Sequence, residues 1–400
     1  MGGPRFAGVQ GPLAPFEAGF RIELQRLGYV ERVVELQLQL MAAVSHWLEC
    51  TGAEVGGFDA DAIAAVLADR SRVRRSRPVK SLGTMLAFLR DAGVVPYPLP
   101  PVLGPVETML DDYRHFFVHE RGLTSGTARG YVDAVRPFIA TRLRGGQIDV
   151  AGIVAADVFA FVSAVCPGKA RGPAQLTATA LRSVLGWWHL DGLTETSLAV
   201  VVPAVASWRL ARLVEPLADG GIECLLRSCD RDGVAGRRDY AMLSLLARLG
   251  LRRGEVAGLR LDDIDWRGGE IVVRGKGPKE ARLPLPVDVG EAVADYLRHG
   301  RPATAQGRTV FVRVQAPHRQ LSPTGVTQAV FAAGQRAGLG TVHAHRLRHS
   351  AATSMLRGGA SLADVGQVLR HQRVLTTAIY AKVDREALRT IARPWPKSAS

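Results

Sequence analysis

The sequence predicts a mainly α-helical protein with one small antiparallel β-sheet, an α+β arrangement. Apolar residues recur at helical spacing through most of the chain. Residues 270–285 differ, because β-branched residues there lead into a Gly-Lys-Gly sequence and leucines alternate on the return, a pattern that predicts a β-hairpin. With 400 residues, the chain is also too long for one ordinary core. We therefore expect two or three domains.

Two proline-bounded stretches divide the chain into these domains. Five prolines between positions 96 and 105 predict a stiff linker, because proline fixes φ and lacks a backbone donor. A second linker is predicted over residues 203–216. The expected domains are a helical N-terminal extension over residues 1–100, a helical domain over residues 106–203 and a third domain over residues 217–395.

Apolar stripes locate the helices within these domains. In the second domain they cover residues 109–117, 131–138 and 181–188. In the third domain, helical patterns cover residues 238–259 and 323–392, on either side of the hairpin. The predicted β-structure is therefore confined to one short segment of a helical protein.

Positive charge exceeds negative charge by a wide margin. The chain has 51 Lys and Arg against 37 Asp and Glu, a formal net charge of +14, which implies a polyanionic partner. An acidic membrane surface is the weaker choice, because no stretch of about twenty apolar residues appears and the amino terminus lacks a signal-peptide pattern. We expect a nucleic-acid partner, no membrane association and a cytoplasmic location.

The four cysteines give no sign of a metal site. They are sparse, and the only close pair lacks a second pair or a matching histidine pair, so the zinc-ligand pattern is missing. We expect reduced thiols and no bound metal or other cofactor.

Arginines cluster at two places outside the third domain. A run within residues 70–80 and the second linker both carry them, and guanidinium groups bind phosphate well. A charge run is also typical of a plain solvated face, so both interpretations stay open for this set. The candidate phosphate-binding residues are Arg72, Arg74, Arg75, Arg77, Arg209 and Arg212.

Three sites in the third domain carry candidate functional side chains, although each alone has an ordinary structural interpretation. Arg252 follows an apolar helix and stands three residues before Glu255, so a surface ion pair would explain it. Lys276 lies between two glycines in the hairpin turn, where an ordinary solvated lysine is common. His345 and Arg348 are three residues apart, which places both on one face of a helix. Together they could hold an anion.

Two further sites follow towards the carboxyl end. His371 comes just after a short predicted helix that opens with Ser361 and Asp364, a capping-box arrangement. Tyr380 stands nine residues later among apolar neighbours, and a tyrosine in such a place is most often a packed aromatic residue. Only the combination of sites favours a functional interpretation of Tyr380.

The combined set matches the chemistry of phosphodiester cleavage. Two arginines can bind the non-bridging oxygens, where charge grows in the transition state. Two histidines can donate hydrogen bonds and move protons near neutral pH. A lysine can protonate a leaving alkoxide, and a tyrosine becomes a better nucleophile where nearby cations favour the phenolate.

These motifs resemble those of the tyrosine recombinase family of phage integrases and chromosome-dimer resolvases. The segment from Gly250 to Glu255 is similar to the family's first arginine motif, and Lys276 falls at its hairpin lysine. His345 and Arg348 match its His-x-x-Arg motif. The second histidine position and the nucleophile correspond to His371 and Tyr380. The resemblance covers about residues 217–390 in order and spacing.

The resemblance implies a fold and a mechanism. It implies helical DNA-clamping domains, the second of them a SAM-like core-DNA-binding domain over residues 106–203, followed by a catalytic domain over residues 217–395. In this scheme Tyr380 attacks double-stranded DNA to form a 3′-phosphotyrosine, and Arg252 and Arg348 stabilise the transition state. Lys276 protonates the leaving 5′-oxygen.

Further roles and the assembly follow from the same resemblance. His345 assists proton transfer from Tyr380, and His371 binds the phosphate. No metal ion is expected, because no acidic cluster suited to magnesium ions accompanies these residues. ATP is not expected either, because the phosphotyrosine conserves the energy of the phosphodiester. Strand exchange implies a homotetramer on two recombination sites. The extension over residues 1–100 could bind further DNA or partner recombinases, as expected of a mobile-element or phage-type enzyme.

One residue departs from the family pattern. The family usually has glycine just before the second histidine, whereas this chain has Arg370, which could contact a phosphate or crowd the site. Three alternatives stay open: a type IB topoisomerase-like activity, a DNA-binding regulator in which residues 345–370 form a helix-turn-helix, and a recombinase that binds DNA with weak or no cleavage.

Overall fold

A computed structural model describes residues 8–57, 79–98, 100, 102–204, 216–275 and 280–370. The chain divides into two compact units, one formed by Met1–Leu99 with Leu213–Ser400 and the other by Pro100–Arg212. Three large hydrophobic cores lie within residues 9–95, 110–202 and 217–347. This division into two units does not test the three domains expected from the two linkers, and their boundaries stay a prediction.

Among the described residues, three helices contribute to the first core, and the second of them is the longest. They are α1 (Glu17–Arg26), α2 (Glu31–Thr51) and α3 (Val79–Asp91). Leucine and valine residues recur on one face of α2, and Val34, Leu38, Met41 and Val44 are completely buried there. The helical character expected of the N-terminal extension is therefore present in its described part.

The unit over Pro100–Arg212 is a helical domain with a large aromatic core. Its elements are α4 (Pro105–His115), a π-helical turn (Phe116–Glu120), α5 (Ser125–Thr141), β1 (Leu143–Arg144), β2 (Gln147–Ile148), α6 (Ala155–Val165) and α7 (Arg171–Leu190). Tyr113, Phe138 and Trp188 are completely buried in it. The three helices predicted from apolar stripes in this domain are all present.

The remaining elements belong to the unit that contains the candidate functional residues. They are α8 (Gly221–Arg227), α9 (Val234–Arg248), α10 (Arg253–Gly258), β3 (Ile264–Asp265), β4 (Glu270–Arg274), β5 (Glu280–Pro284), α11 (Val287–His299), α12 (Pro323–Arg336), α13 (Ala344–Arg357) and α14 (Leu362–Val368). The mainly helical fold with a small antiparallel sheet is thus confirmed.

The predicted hairpin forms β4 and β5 of a three-stranded sheet with the order β3-β4-β5, in which β4 is the central strand. Its two longer strands are antiparallel, and Ile271 stands opposite Leu283 with both side chains buried. Alternation at period two therefore places one face of the hairpin on the core. Residues 276–279, which connect β4 to β5 and include Lys276, lie outside the described residues.

Helix α9 organises the core around which the candidate residues lie. Its residues from Ala241 to Ala247 are all buried, and it contacts α11, α12 and α13. The pattern predicted as one helix over residues 238–259 is in fact two helices, because the chain turns between α9 and α10. A separate satellite core of Ala352, Val365 and Leu369 joins α13 to α14.

Candidate active site

A cleft of about 520 Å³ opens where the turn after α9 meets the start of α13. Of the described residues that line it, three are arginines, two are histidines and none is acidic; they are Leu251, Arg252, Arg253, Thr327, His343, Ala344, His345 and Arg348. The structure thus brings together three of the side chains singled out in the sequence. Such a cationic cleft suits an anionic ligand.

The turn that presents Arg252 depends on Gly250. This glycine has φ +59°, a left-handed conformation that side chains disfavour, and a Cβ added to it would lie 2.5 Å from the Leu369 Cδ2 atom. The next residue, Leu251, is buried and anchors the turn in the core. Arg252 follows in extended conformation as the residue before α10, so its side chain emerges at the cleft.

Arg348 holds two segments of backbone together beneath the cleft. Its side chain is buried, at 3% relative exposure. Its Nη1 atom donates a hydrogen bond to the carbonyl oxygen of Gly250 at 2.5 Å, and its Nη2 atom donates to the carbonyl oxygen of Leu369. These bonds join the turn after α9 and the end of α14 to α13, and they fix the direction of the guanidinium group.

A buried carboxylate links Arg252 to Arg370. Glu255 Oε1 accepts a hydrogen bond from Arg252 Nη1 at 2.8 Å, and Glu255 Oε2 accepts bonds from the Arg252 backbone nitrogen and from Arg370 Nη2, each at 2.7 Å. The side chain of Glu255 is 4% exposed, whereas that of Arg252 is 45% exposed. Arg252 therefore forms the ordinary ion pair with Glu255 and also lines the cleft.

Two histidines stand one turn apart on α13, with His345 at the cleft and His349 in the interior. Their ring centroids are 4.4 Å apart in an edge-to-face arrangement. Partial desolvation lowers the pKa of His345 below its ordinary value, although its imidazole keeps contact with solvent, and Arg348 and Arg252 lower it further. At neutral pH, His345 is therefore neutral and able to accept a proton.

The cleft also contains residues that the sequence did not single out. Arg253 donates a hydrogen bond to the hydroxyl of Thr327 at 3.2 Å, and both line the cleft with His343. Arg253 could have been suspected from its place beside Arg252. Thr327 offers no local signal, because only the packing of α12 against α10 brings it there.

The other sequence-predicted residues lie largely outside the described part of the chain. This applies to Lys276, His371 and Tyr380, and to the arginine set of Arg72, Arg74, Arg75, Arg77, Arg209 and Arg212. Arg370 is described, and its guanidinium group is 13% exposed and directed to Glu255. Its expected phosphate contact stays a prediction.

The described part of the chain offers neither a metal site nor a membrane span. It contains no group of three or more His, Cys, Asp or Glu side chains able to hold a metal ion. Within the same residues, no helix has the length and apolar character needed to cross a membrane.

Comparisons with known proteins agree with the resemblance seen in the sequence. The model of the phage integrase family matches residues 217–387. A protein of Sinorhizobium fredii described as an integrase/recombinase, y4rA, is 40% identical over 395 residues, covering 98% of this chain and 96% of its own length. The tyrosine recombinase XerD of Mycobacterium tuberculosis is 33% identical over 297 residues, covering 70% of this chain and 95% of XerD.

A solved structure shows the same fold. The XerH site-specific recombinase, in a post-cleavage complex with a palindromic difH substrate, matches 74% of this chain and 98% of its own with a TM-score of 0.55 at 16% identity. Membership of the family rests on the sequence relatives, because the matches span nearly the whole length of y4rA and of XerD. The chain is therefore a member of the tyrosine recombinase family, to which phage integrases belong, and is a tyrosine-type site-specific recombinase.

Proposed function

We propose that this chain cleaves and rejoins double-stranded DNA at specific sites through a covalent 3′-phosphotyrosine formed by Tyr380. The observation that supports the proposal most directly is the cleft, which Arg252, His345 and Arg348 line together, and no acidic residue is among its described lining residues. The remaining roles rest on the order and spacing of Lys276, His371 and Tyr380 in the sequence.

The positive charge of the cleft supports binding of the scissile phosphate there. A phosphodiester has one negative charge, and a second develops on the non-bridging oxygens as the nucleophile attacks. Arg348 is fixed by two carbonyl groups and Arg252 by Glu255, so neither guanidinium has to reorganise when this charge grows. Preorganised donors of this kind contribute more than mobile ones.

The proposed step is balanced without an added reactant. The Tyr380 oxygen forms a bond to phosphorus while the bond from phosphorus to the 5′-oxygen breaks. The phenol proton passes towards His345, which is neutral at neutral pH, and Lys276 gives a proton to the leaving 5′-oxygen. Rejoining is the reverse attack of a 5′-hydroxyl on the phosphotyrosine, so the phosphodiester energy is retained and ATP is not required.

The proposed partners follow from exchanging strands between two duplexes. Four copies of this chain would assemble on two recombination sites, two on each, with His371 as a further phosphate contact in each copy. The arginines of residues 70–80 and of the second linker would bind the DNA backbone. Residues 1–100 would hold further DNA or a partner recombinase of a mobile element, and the cytoplasm is the compartment in which we expect the reaction.

The test is covalent trapping. A binding site is first selected from a random DNA pool with the full chain, and is then made as a nicked duplex from which the cleaved strand end diffuses away. Wild-type protein should form a DNA adduct that survives denaturation, and Tyr380→Phe should bind the same DNA without forming it.

Tyr97→Phe is the matched control, because Tyr97 is an exposed tyrosine outside the catalytic unit's cleft, and it should form the adduct normally. An adduct with Tyr380→Phe would identify another nucleophile. Relaxation of supercoiled plasmid without any selected site would instead favour the topoisomerase alternative, and binding without an adduct by the wild-type chain would favour the non-cleaving alternatives.

A further inference from the structure

Arg370 has an unusual backbone conformation for its residue type. Its φ is 54°, and it is the only residue other than glycine with a positive φ in the described part of the chain. This left-handed conformation is strained for a residue with a side chain and almost unstrained for glycine. The usual family glycine fits this geometry, so an arginine here has to be stabilised by other contacts.

The side chain of Arg370 makes those contacts inside the protein. Its Nη2 atom lies 2.7 Å from Glu255 Oε2, and its Nη1 atom donates a hydrogen bond to the Val368 carbonyl oxygen at 3.1 Å. The two side chains of the ion pair are 13% and 4% exposed. A pair with this little solvent contact is screened far less than a surface pair.

The same contacts close a ring that includes Arg252. Glu255 binds Arg252 through both the backbone nitrogen and Nη1, and Arg252 Nη2 donates to the carbonyl oxygen of Arg370 at 3.3 Å. Arg252, the residue before α10, is thereby tied to Arg370, the residue before His371. Both the side chain and the main chain of Arg370 take part.

The charges in this ring have a consequence for the cleft. A single carboxylate with a single arginine forms a neutral pair, which weakens the attraction of that arginine for a phosphate. With two arginines on Glu255 the group has a net charge of +1. The pKa of Arg370 is lowered, mainly by burial and also by Arg252, against the opposing effect of the Glu255 carboxylate. An arginine nevertheless stays charged at neutral pH.

We propose that Arg370 is a positioning residue, which shares the Glu255 carboxylate so that Arg252 keeps its orientation and its positive charge for the scissile phosphate. The inference rests on the proposed function, because it assigns Arg252 to that phosphate. It replaces the direct phosphate contact expected of Arg370 with an indirect role. The substitution of the usual glycine would then be a gain in charge balance rather than a defect.

The experiment measures the single-turnover rate of adduct formation at saturating DNA, together with the Kd for DNA and the thermal unfolding midpoint. Three variants separate the contributions of Arg370: Arg370→Gly removes the backbone strain and the side chain, Arg370→Gln removes the charge, and Arg370→Lys keeps the charge. The matched controls are Arg308→Gly, Arg308→Gln and Arg308→Lys, which alter the exposed ion pair of Arg308 with Asp262.

We expect Arg370→Gly and Arg370→Gln to lower the cleavage rate about tenfold and Arg370→Lys about threefold, with Kd changed by less than about twofold. In a Glu255→Gln background, the further loss from Arg370→Gly should shrink to less than about twofold, because the charge to be shared is gone. The Arg308 variants should cleave at the wild-type rate.

Three results would overturn the inference while leaving the proposed function intact. The first is wild-type cleavage by Arg370→Gly, which would mean that the arginine only compensates for its own backbone. The second is a loss that appears in Kd rather than in the cleavage rate, which would indicate direct DNA contact. The third is a fall in rate that follows the unfolding midpoint without rescue by Arg370→Lys. No adduct with the wild-type chain would overturn the proposed function and this inference together.

Discussion

Arg348 donates a hydrogen bond from Nη1 to the carbonyl oxygen of Gly250 at 2.5 Å, so one candidate catalytic arginine holds the turn that presents the other. Arg252 and Arg348 are 96 positions apart in the sequence, yet this hydrogen bond joins the segments that carry them. Changes at the turn should therefore disturb both arginines together.

Replacing Gly250 tests that turn. In Gly250→Ala, the added Cβ would meet Leu369 and the alanine would have to adopt φ +59°, so we expect a loss of about 2–3 kcal/mol in the free energy of unfolding, measured by urea denaturation. The control is Gly254→Ala in α10, where a Cβ meets no atom within 4 Å and should change stability by less than about 1 kcal/mol. Equal stabilities for the two variants would contradict this account of the turn.

Replacing Arg348 by lysine tests the preorganised guanidinium. One ammonium cannot bind the Gly250 and Leu369 carbonyl groups in the same directions and also reach a phosphate, so Arg348→Lys should lower the single-turnover cleavage rate by at least about 100-fold. Arg357→Lys is the control on the same helix, because Arg357 forms an exposed pair with Asp219. Cleavage within a few-fold of wild type by Arg348→Lys would remove Arg348 from the proposed mechanism.

In the proposed mechanism, the protonation state of His345 should set the acid limb of the pH profile. Its pKa lies below the ordinary histidine value because of desolvation and the neighbouring arginines, and the form that accepts a proton is the neutral one. Cleavage at subsaturating DNA, which reports the free enzyme, should thus persist below about pH 6.5 and fall only as pH drops through the lowered pKa. A fall centred at or above pH 6.5 would show that His345 does not limit the reaction.

His349 should make folding stability depend on pH. Burial, His345 and Arg348 lower its pKa to about 4 in the folded chain, whereas an unfolded histidine titrates near 6.5. The unfolded state therefore binds the extra proton, so the contribution of His349 is fully present above pH 6.5 and decreases by up to about 3 kcal/mol as pH falls to 4. Urea denaturation at several pH values should show a shallower decrease for His349→Gln, and an unchanged slope would contradict the assignment.

The proposed role of Lys276 as proton donor can be tested by changing the leaving group of the DNA. Lys276→Ala should lower cleavage of ordinary DNA, and cleavage should recover on a substrate with sulfur in place of the 5′-bridging oxygen, since a thiolate leaves without protonation. Lys279→Ala, in the same connection between β4 and β5, is the control and should respond equally to both substrates. Failure of the sulfur substrate to restore Lys276→Ala would assign the proton to another residue.

Much of this architecture could be predicted because its signals are local. β-branched residues before Gly-Lys-Gly and alternating leucines after it are sufficient to predict the β4–β5 hairpin. Ser361 and Asp364 form the predicted capping box, with the Ser361 backbone nitrogen 3.0 Å from the carboxylate. Glu255, three residues after Arg252, was placed correctly as its ion-pair partner.

Other parts of the site depend on packing between distant segments and have no local signal. An arginine favours no left-handed conformation, so nothing in the sequence around Arg370 predicts its φ of 54°. The sequence does not reveal the break between α9 and α10, because apolar residues continue the helical pattern across it. One of them, Leu251, packs in the same core from a non-helical turn. Thr327 reaches the cleft only through α12.

The small satellite core has a consequence for how α14 responds when the cleft binds a phosphate. It consists of Ala352, Val365 and Leu369, so local unfolding of α14 costs little apolar burial compared with opening of the main core. The carbonyl groups at the end of α14 accept hydrogen bonds from Arg348 and Arg252. Binding of a phosphate to those arginines should therefore protect the amides of α14 from hydrogen exchange. Target binding would then stabilise the helix that precedes His371 and Tyr380 in the sequence.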